Sequence, residues 1–241
     1  MTLTHTRNPQ AVPRLTAALP PLENGDRLTR AEFRRRYDAM PHLKKAELIE
    51  GVVYVGSPVR NDAHAEPHAS MVGWLVSYKA ATAGVAVADN GTAGVDADNE
   101  YQPDVTLRIL EAAGGQSRIV ADYVEGPPEL VVEVAASSVS IDRHTKLHVY
   151  RRAGVREYVI WQVLNQRIEW FALRDGEYVP LQPDERGVVH SEVFPGLRLH
   201  VPALLAGNLA TVLAELQAGI AGIEHGQFVK ALAERLDTTT R

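Results

Sequence analysis

The chain of 241 residues contains no cysteine. That excludes disulfides, thiolate-bound zinc and a cysteine nucleophile. A surplus of positive charge is missing too: 25 Lys and Arg stand against 30 Asp and Glu, for a formal net charge of −5. That argues against binding of nucleic acid through bulk charge alone, although it does not exclude a local basic groove. No apolar run is long enough to span a bilayer. The N-terminal MTLTHTRNPQAVPRL has no signal-peptide core, so a soluble, cytoplasmic protein is expected. There is no glycine-rich phosphate loop and no GxSxG elbow. GTAGVDADNE has glycines, but no apolar helix follows, so it is no dinucleotide fingerprint. Helix-turn-helix spacing, a C2H2 finger, internal repeats and heptads are likewise missing.

What is present is enough apolar material for a sizeable core: 45% hydrophobic residues and 23% charged. The length fits one domain with trimmings, or at most two small ones. Residues 1–25, polar and punctuated by proline, read as a disordered or loosely attached arm. Thr29 is placed to cap a short helix, AEFRRRYDAM, that Pro41 ends. AELIEGVVYVGSP reads as a helix end or turn followed by a strand around 52–55. Residues 68–83 carry apolar side chains at helical spacing, and Gly84 stops them. Strands are expected at 85–88, after Pro103 and at 130–135, with a loop from Gly114-Gly115 to Pro127-Pro128. Ser137 or Ser138 could cap a helix over IDRHTKLHVYRRA that ends at Gly154. REYVIWQV and RIEWFAL form a hairpin through Leu164-Asn165-Gln166, and EYVPL adds a further strand. The tail from about 203 is helical. This pattern predicts an α/β or α+β domain, and the hairpin after 155 argues against a purely parallel sheet.

Glu133 is the most informative residue. It lies inside LVVEVA, a run suited to burial, where an ionised carboxylate is costly unless paired, hydrogen-bonded or bound to metal. The structural alternatives are an edge strand with its polar side in water, or a salt bridge to an arginine. Asp104 opens the strand after Pro103. If the two strands are neighbours, their carboxylates converge, and two carboxylates plus water suit Mg²⁺ or Mn²⁺. Taken alone, Pro103-Asp104 is ordinary turn chemistry, as a second copy at Gln182-Pro183-Asp184 illustrates. Asp142, Lys146 and Tyr150 are spaced to share a helical face. A surface pair between Asp142 and Lys146 is the bland reading. His64 and His68 are spaced i, i+4, but HAEPH is not a zinc-protease HExxH, and Pro67 interrupts the helix that such a site needs. Arg143, Arg151, Arg152, Arg156 and Arg167 make a basic stretch whose simplest reading is a solvated face.

The ordered series AELIEG, SP, H, QPDV, PELVVEVAASS, D, K, Y, GVREYVIW and FPGLRL resembles the Uma-type family of restriction endonucleases, within the PD-(D/E)XK nuclease superfamily. The resemblance covers roughly residues 28–205. It implies a restriction-endonuclease-like mixed β-sheet flanked by helices over residues 26–205, with residues 206–241 as a helical C-terminal extension. It implies Asp104 and Glu133 as metal-binding acids, with Val134 beside them. It makes Glu47 the supporting helix acid, with Glu50 as a less favoured substitute. The superfamily lysine usually stands two residues after the second acid; that position here is Ala135, and Lys146 on the next helix is the matching candidate. His64 or His68 matches the family histidine, and Gln102, Asp142 and Tyr150 are expected to line the cleft with them. The implied activity is Mg²⁺- or Mn²⁺-dependent cleavage of DNA, with a homodimer expected by analogy. The alternatives are an inactive nuclease-like module that binds nucleic acid or a partner, and a hydrolase of other phosphoesters.

Overall fold

The computed structural model of the protein describes residues 19–56, 64–94, 96, 98–136 and 141–239, with only the backbone of residues 141–143 and 239. Thr29 begins α1 (Arg30–Asp38) by accepting the Glu32 amide, and Ala39 closes the helix before Pro41. The next segment departs from expectation. Residues read as a helix end or turn form β1 (Ala46–Ile49), which pairs with β2 (Val52–Val55). Glu50 and Gly51 join them at φ 51° and 73°, the two-residue turn whose twist matches that of its strands. All four β1 residues are buried, and periodicity alone does not separate such a run from a helix.

α2 (Glu66–Ala80) has Pro67 in its first turn, where the missing N–H is no loss, so Pro67 opens the helix instead of breaking it. β3 (Val85–Asp89), β4 (Ala93–Gly94), β5 (Glu100–Tyr101) and β6 (Val105–Ile109) follow. The stretch expected as a loop between Gly114 and Pro128 holds a hairpin, β7 (Arg118–Val120) and β8 (Tyr123–Glu125). Its turn residues, Ala121 and Asp122, take positive φ without the Asn-Gly signature that announces such turns. After β9 (Leu130–Ala135), a π-helical turn over Ile141–Lys146 runs into α3 (Leu147–Ala153), so the expected single helix has two parts. Ser137 and Ser138 lie outside the described residues. The hairpin of β10 (Glu157–Gln162) with β11 (Arg167–Arg174) and the further strand β12 (Glu177–Pro180) form as expected. β13 (Val188–His190) pairs with β14 (Arg198–His200), and α4 (Val201–Leu205), α5 (Leu209–Ile220) and α6 (Ile223–Thr239) complete the chain.

The described strands make two six-stranded sheets and one pair. The central sheet runs β12-β11-β10-β9-β6-β3, with β9 and β10 parallel and its other pairs antiparallel. This is the mixed sheet flanked by helices that the resemblance implies. On one face, Val105, Leu107, Val132 and Val134 pack against Met71, Trp74 and Leu75 of α2 and Val212, Leu216 and Leu232 of the C-terminal helices. The C-terminal helices thus supply part of the main core. On the other face, Val131, Ala135, Tyr158 and Ile160 meet Val149 and Tyr150 of α3 and Ile49 and Tyr101 of the second sheet. That second sheet runs β2-β1-β5-β4-β8-β7 and carries α1, with Phe33, Leu48, Val53 and Leu22 buried together. Leu22 comes from the stretch read as an arm; residues 1–18 lie outside the described residues.

Candidate functional site

Gln102, Pro103 and Asp104 carry the chain from β5 in the second sheet to β6 in the central one. A proline suits this crossing, because its residue owes no N–H to either ladder. Asp104 therefore stands at the seam between the sheets. β9 is an interior strand between β10 and β6, which rules out a wetted edge for Glu133. The β6–β9 ladder pairs Val105 with Val132, and one further step along it sets Asp104 opposite Glu133, on the same face. Both acids are 2% exposed.

Each buried carboxylate is compensated, as its desolvation demands. Lys146 Nζ lies 2.9 Å from Glu133 Oε1 and 3.0 Å from Glu47 Oε2. At 4% exposure Lys146 is no surface lysine; the side chain of Asp142, its supposed surface partner, is outside the described residues. Tyr150 donates its hydroxyl to the same Glu133 Oε1 at 2.9 Å. Burial, reinforced by Glu133 and Glu47, pushes the Tyr150 hydroxyl well above its ordinary value and keeps it a neutral donor. Glu47 accepts the Gln102 amide at 2.9 Å on its other oxygen. The supporting acid thus sits on a strand, not on the helix that the resemblance implied. Glu50 is in the exposed hairpin turn and pairs with Arg152 at 3.2 Å. The Gln102 side-chain oxygen is buried with no hydrogen-bond partner among the described residues.

Asp104 is held from three sides. Lys45 Nζ donates to Oδ1 at 2.9 Å, the Val134 amide donates to Oδ2 at 2.8 Å, and His64 Nε2 lies 3.3 Å from Oδ2. Burial alone would raise its carboxyl, but His64, Lys45 and the Val134 amide outweigh it, and Asp104 sits well below the usual carboxylate range. Burial works against the Lys45 ammonium, yet Asp104, Glu133 and Glu47 overcome it and hold Lys45 above its ordinary value. His68 Nε2 lies 3.0 Å from both the Asp104 carbonyl and Asp89 Oδ1, and its ring meets that of His64 edge-on at 5.7 Å. Asp104, Glu133, Lys146, Glu47, Gln102, Tyr150 and both histidines therefore converge, with Val134 contributing through its backbone.

Sequence reasoning missed Lys45. Its signal was available: in LKKAELIEG, Lys45 and Glu47 stand two apart, and on a strand such residues share a face. Reading 46–49 as helix or turn concealed that. The arginines of the basic stretch whose side chains are described all have partners. Arg151 pairs with Glu177, Arg152 with Glu50 and Arg167 with Glu169, while Arg156 donates to Gln116; the Arg143 side chain is outside the described residues. In the second QPD, Asp184 accepts the amides of Arg186 and Val188 in an exposed turn.

Among the described residues, no group of three or more His, Asp or Glu side chains stands close enough to hold a metal ion. Mg²⁺ does not require one: it keeps several waters and binds through one or two carboxylates plus substrate phosphate. Two facing carboxylates at a sheet seam fit that demand by their chemistry, although both are ion-paired to lysines.

A mixed sheet flanked by helices matches the nuclease-like fold of a solved structure. The family model described as Uma2, "Putative restriction endonuclease", matches residues 30–202, and the chain belongs to that family. Its fold is similar to a crystal structure titled as a putative nuclease belonging to DUF820 from Anabaena variabilis ATCC 29413. That likeness has a TM-score of 0.54 and 15% identity, and covers 71% of this chain and 96% of the other. Among curated proteins, none matches. No described helix is long and apolar enough to cross a membrane.

Proposed function

We propose that the protein is a Mg²⁺- or Mn²⁺-dependent endonuclease that hydrolyses phosphodiester bonds in DNA. The observation that carries this reading is the meeting of Asp104, Glu133, Glu47 and Lys146 at the sheet seam. Asp104 and Glu133, with the Val134 backbone beside them, would hold the ion. When bound, the ion lowers the pKa of a coordinated water and neutralises charge on the phosphate. The chain's own residues do the rest. Glu47 and Tyr150 fix the lysine and the second acid in place. Lys146, an ammonium donating to two carboxylates, is a positioned positive charge and suits orienting water and stabilising phosphate charge better than removing a proton. His64 Nε2 lies 3.3 Å from Asp104 Oδ2, against the acid that would hold the ion.

The test is Mg²⁺ titration calorimetry with a supercoiled-plasmid nicking assay on the same samples, wild type against Glu133→Gln. Ion binding and nicking by wild type, with loss of both in the variant, would support the reading. A metal-binding wild type that turns over small phosphodiesters but leaves every form of DNA intact would move the substrate to another phosphoester. One observation favours a second reading, a module that binds nucleic acid without cutting: each acid of the cluster already has a lysine partner. Salt-sensitive DNA binding without ion binding would establish it.

A further inference from the structure

We infer that Lys45 is a resident counter-ion that occupies the cation position of Asp104 and must be displaced when a divalent ion loads. This inference rests on the metal-dependent reading above. Three observations carry it. Lys45 Nζ is 2.9 Å from Asp104 Oδ1, the oxygen left over once the Val134 amide and His64 have taken Oδ2. The two partners differ in exposure: the Asp104 side chain is 3% exposed, but that of Lys45 is 30% exposed, so the lysine has solvent to withdraw into and the acid has not. Lys146 is different, being buried between Glu133 and Glu47 with side-chain exposure of 5%.

The charge balance points the same way. Among the described residues, Asp104, Glu133 and Glu47 bring three negative charges, against two positive charges from Lys45 and Lys146. The cluster is close to neutral as it stands, before the histidines are counted. A divalent ion added without any departure would leave it positive at short range in a partly buried site, where repulsion between like charges is strong. Withdrawal of the more exposed lysine restores the balance. Lys45 is then a positioning residue for the empty site: it keeps a buried carboxylate paired and sets the ion concentration at which loading occurs.

The experiment compares wild type, Lys45→Met and Lys45→Arg in full-length protein stripped with EDTA, by Mg²⁺ and Mn²⁺ titration calorimetry and by thermal melting with and without ion. Loss of one partly exposed ion-pair partner predicts roughly tenfold tighter ion binding for Lys45→Met. Lys45→Met should also melt below wild type in EDTA and gain more from added ion. Lys45→Arg keeps the charge and adds a donor, so its affinity should be no tighter than that of wild type. Should Lys45→Met fail to fold, Lys45→Gln keeps a hydrogen bond without the charge and carries the same expectation. If wild type binds the ion and the neutral variants bind it equally or more weakly, the counter-ion role is overturned while the metal-dependent reading stands. If no protein in the series binds any divalent ion, both fall.

Discussion

Lys146 and Glu133 meet at 2.9 Å although they stand thirteen positions apart in the chain. The usual superfamily spacing would bring the lysine from two residues after the acid, on the same strand. Here a helical turn brings it from outside the sheet, and the same ammonium reaches Glu47 on the second sheet. Lys146 therefore ties three elements together. Lys146→Met should leave two buried carboxylates without their cation and lower stability by about 3 kcal/mol. Urea unfolding at neutral pH measures this. Plasmid nicking should disappear at temperatures where the variant is still folded, and persistent nicking there would remove Lys146 from the chemistry.

Ala135, two residues after Glu133, leaves no room for a lysine. It is fully buried on the Glu133 face, in a cluster with Tyr150 and Tyr158. The rings of those tyrosines are 5.0 Å apart, and Tyr101 lies another 5.0 Å from Tyr150. An ammonium placed there would be overpacked and far from water. Restoring the usual spacing with Ala135→Lys in a Lys146→Ala background should therefore not restore nicking. Ala135→Lys alone should lower stability by roughly 2 kcal/mol or more. A nicking double variant would show that the aromatic cluster yields more easily than its packing implies.

The chain sequence made the acid strand and its partners legible for a physical reason: a carboxylate inside LVVEVA has few ways to exist, and all of them require company. Asp104 and Lys146 were weak signals taken alone, and it was the resemblance to the Uma-type family that grouped them with Glu133. Three things were not legible. Glu47 was assigned to a helix because a short, fully buried run has no periodicity to separate strand from helix. The β7–β8 hairpin was hidden because Ala121 and Asp122 adopt left-handed backbone without a glycine to mark it. The pairing of Lys45 with Asp104, 59 residues away, was hidden because the seam between the sheets creates it, even though the spacing of Lys45 and Glu47 could have put Lys45 on the Glu47 face.

Tyr150 offers a graded perturbation of the same acid. Its hydroxyl donates to Glu133 Oε1, the oxygen that Lys146 also contacts. Tyr150→Phe removes one donor to a buried charge but leaves the cation, so a loss of about 1.5 kcal/mol is expected. Nicking should fall by less than in Lys146→Met, since Lys146 stays in place. Equal losses in the two variants would mean that the hydroxyl, not the ammonium, sets the position of Glu133.

A last prediction concerns a carboxylate outside the site. Glu157 on β10 is fully buried, and its oxygens accept the Ser191 hydroxyl at 2.8 Å and the amides of Glu192 and Val193 at 2.7 and 3.2 Å. Burial outweighs these donors and pushes its carboxyl from the ordinary 4.5 up to about 7. Between those values the folded protein keeps the proton that the unfolded chain has released. Stability therefore falls as pH rises through that window and levels off above about 7. A displacement of that size corresponds to about 3 kcal/mol over the window. Glu157→Gln cannot ionise, and its amide can still accept from the two backbone N–H groups while donating to Ser191. Urea unfolding from pH 4.5 to 8 should show the decline in wild type relative to Glu157→Gln, with the variant the more stable protein at pH 8. Parallel pH profiles for the two proteins would mean that the three donors hold Glu157 ionised in its buried position.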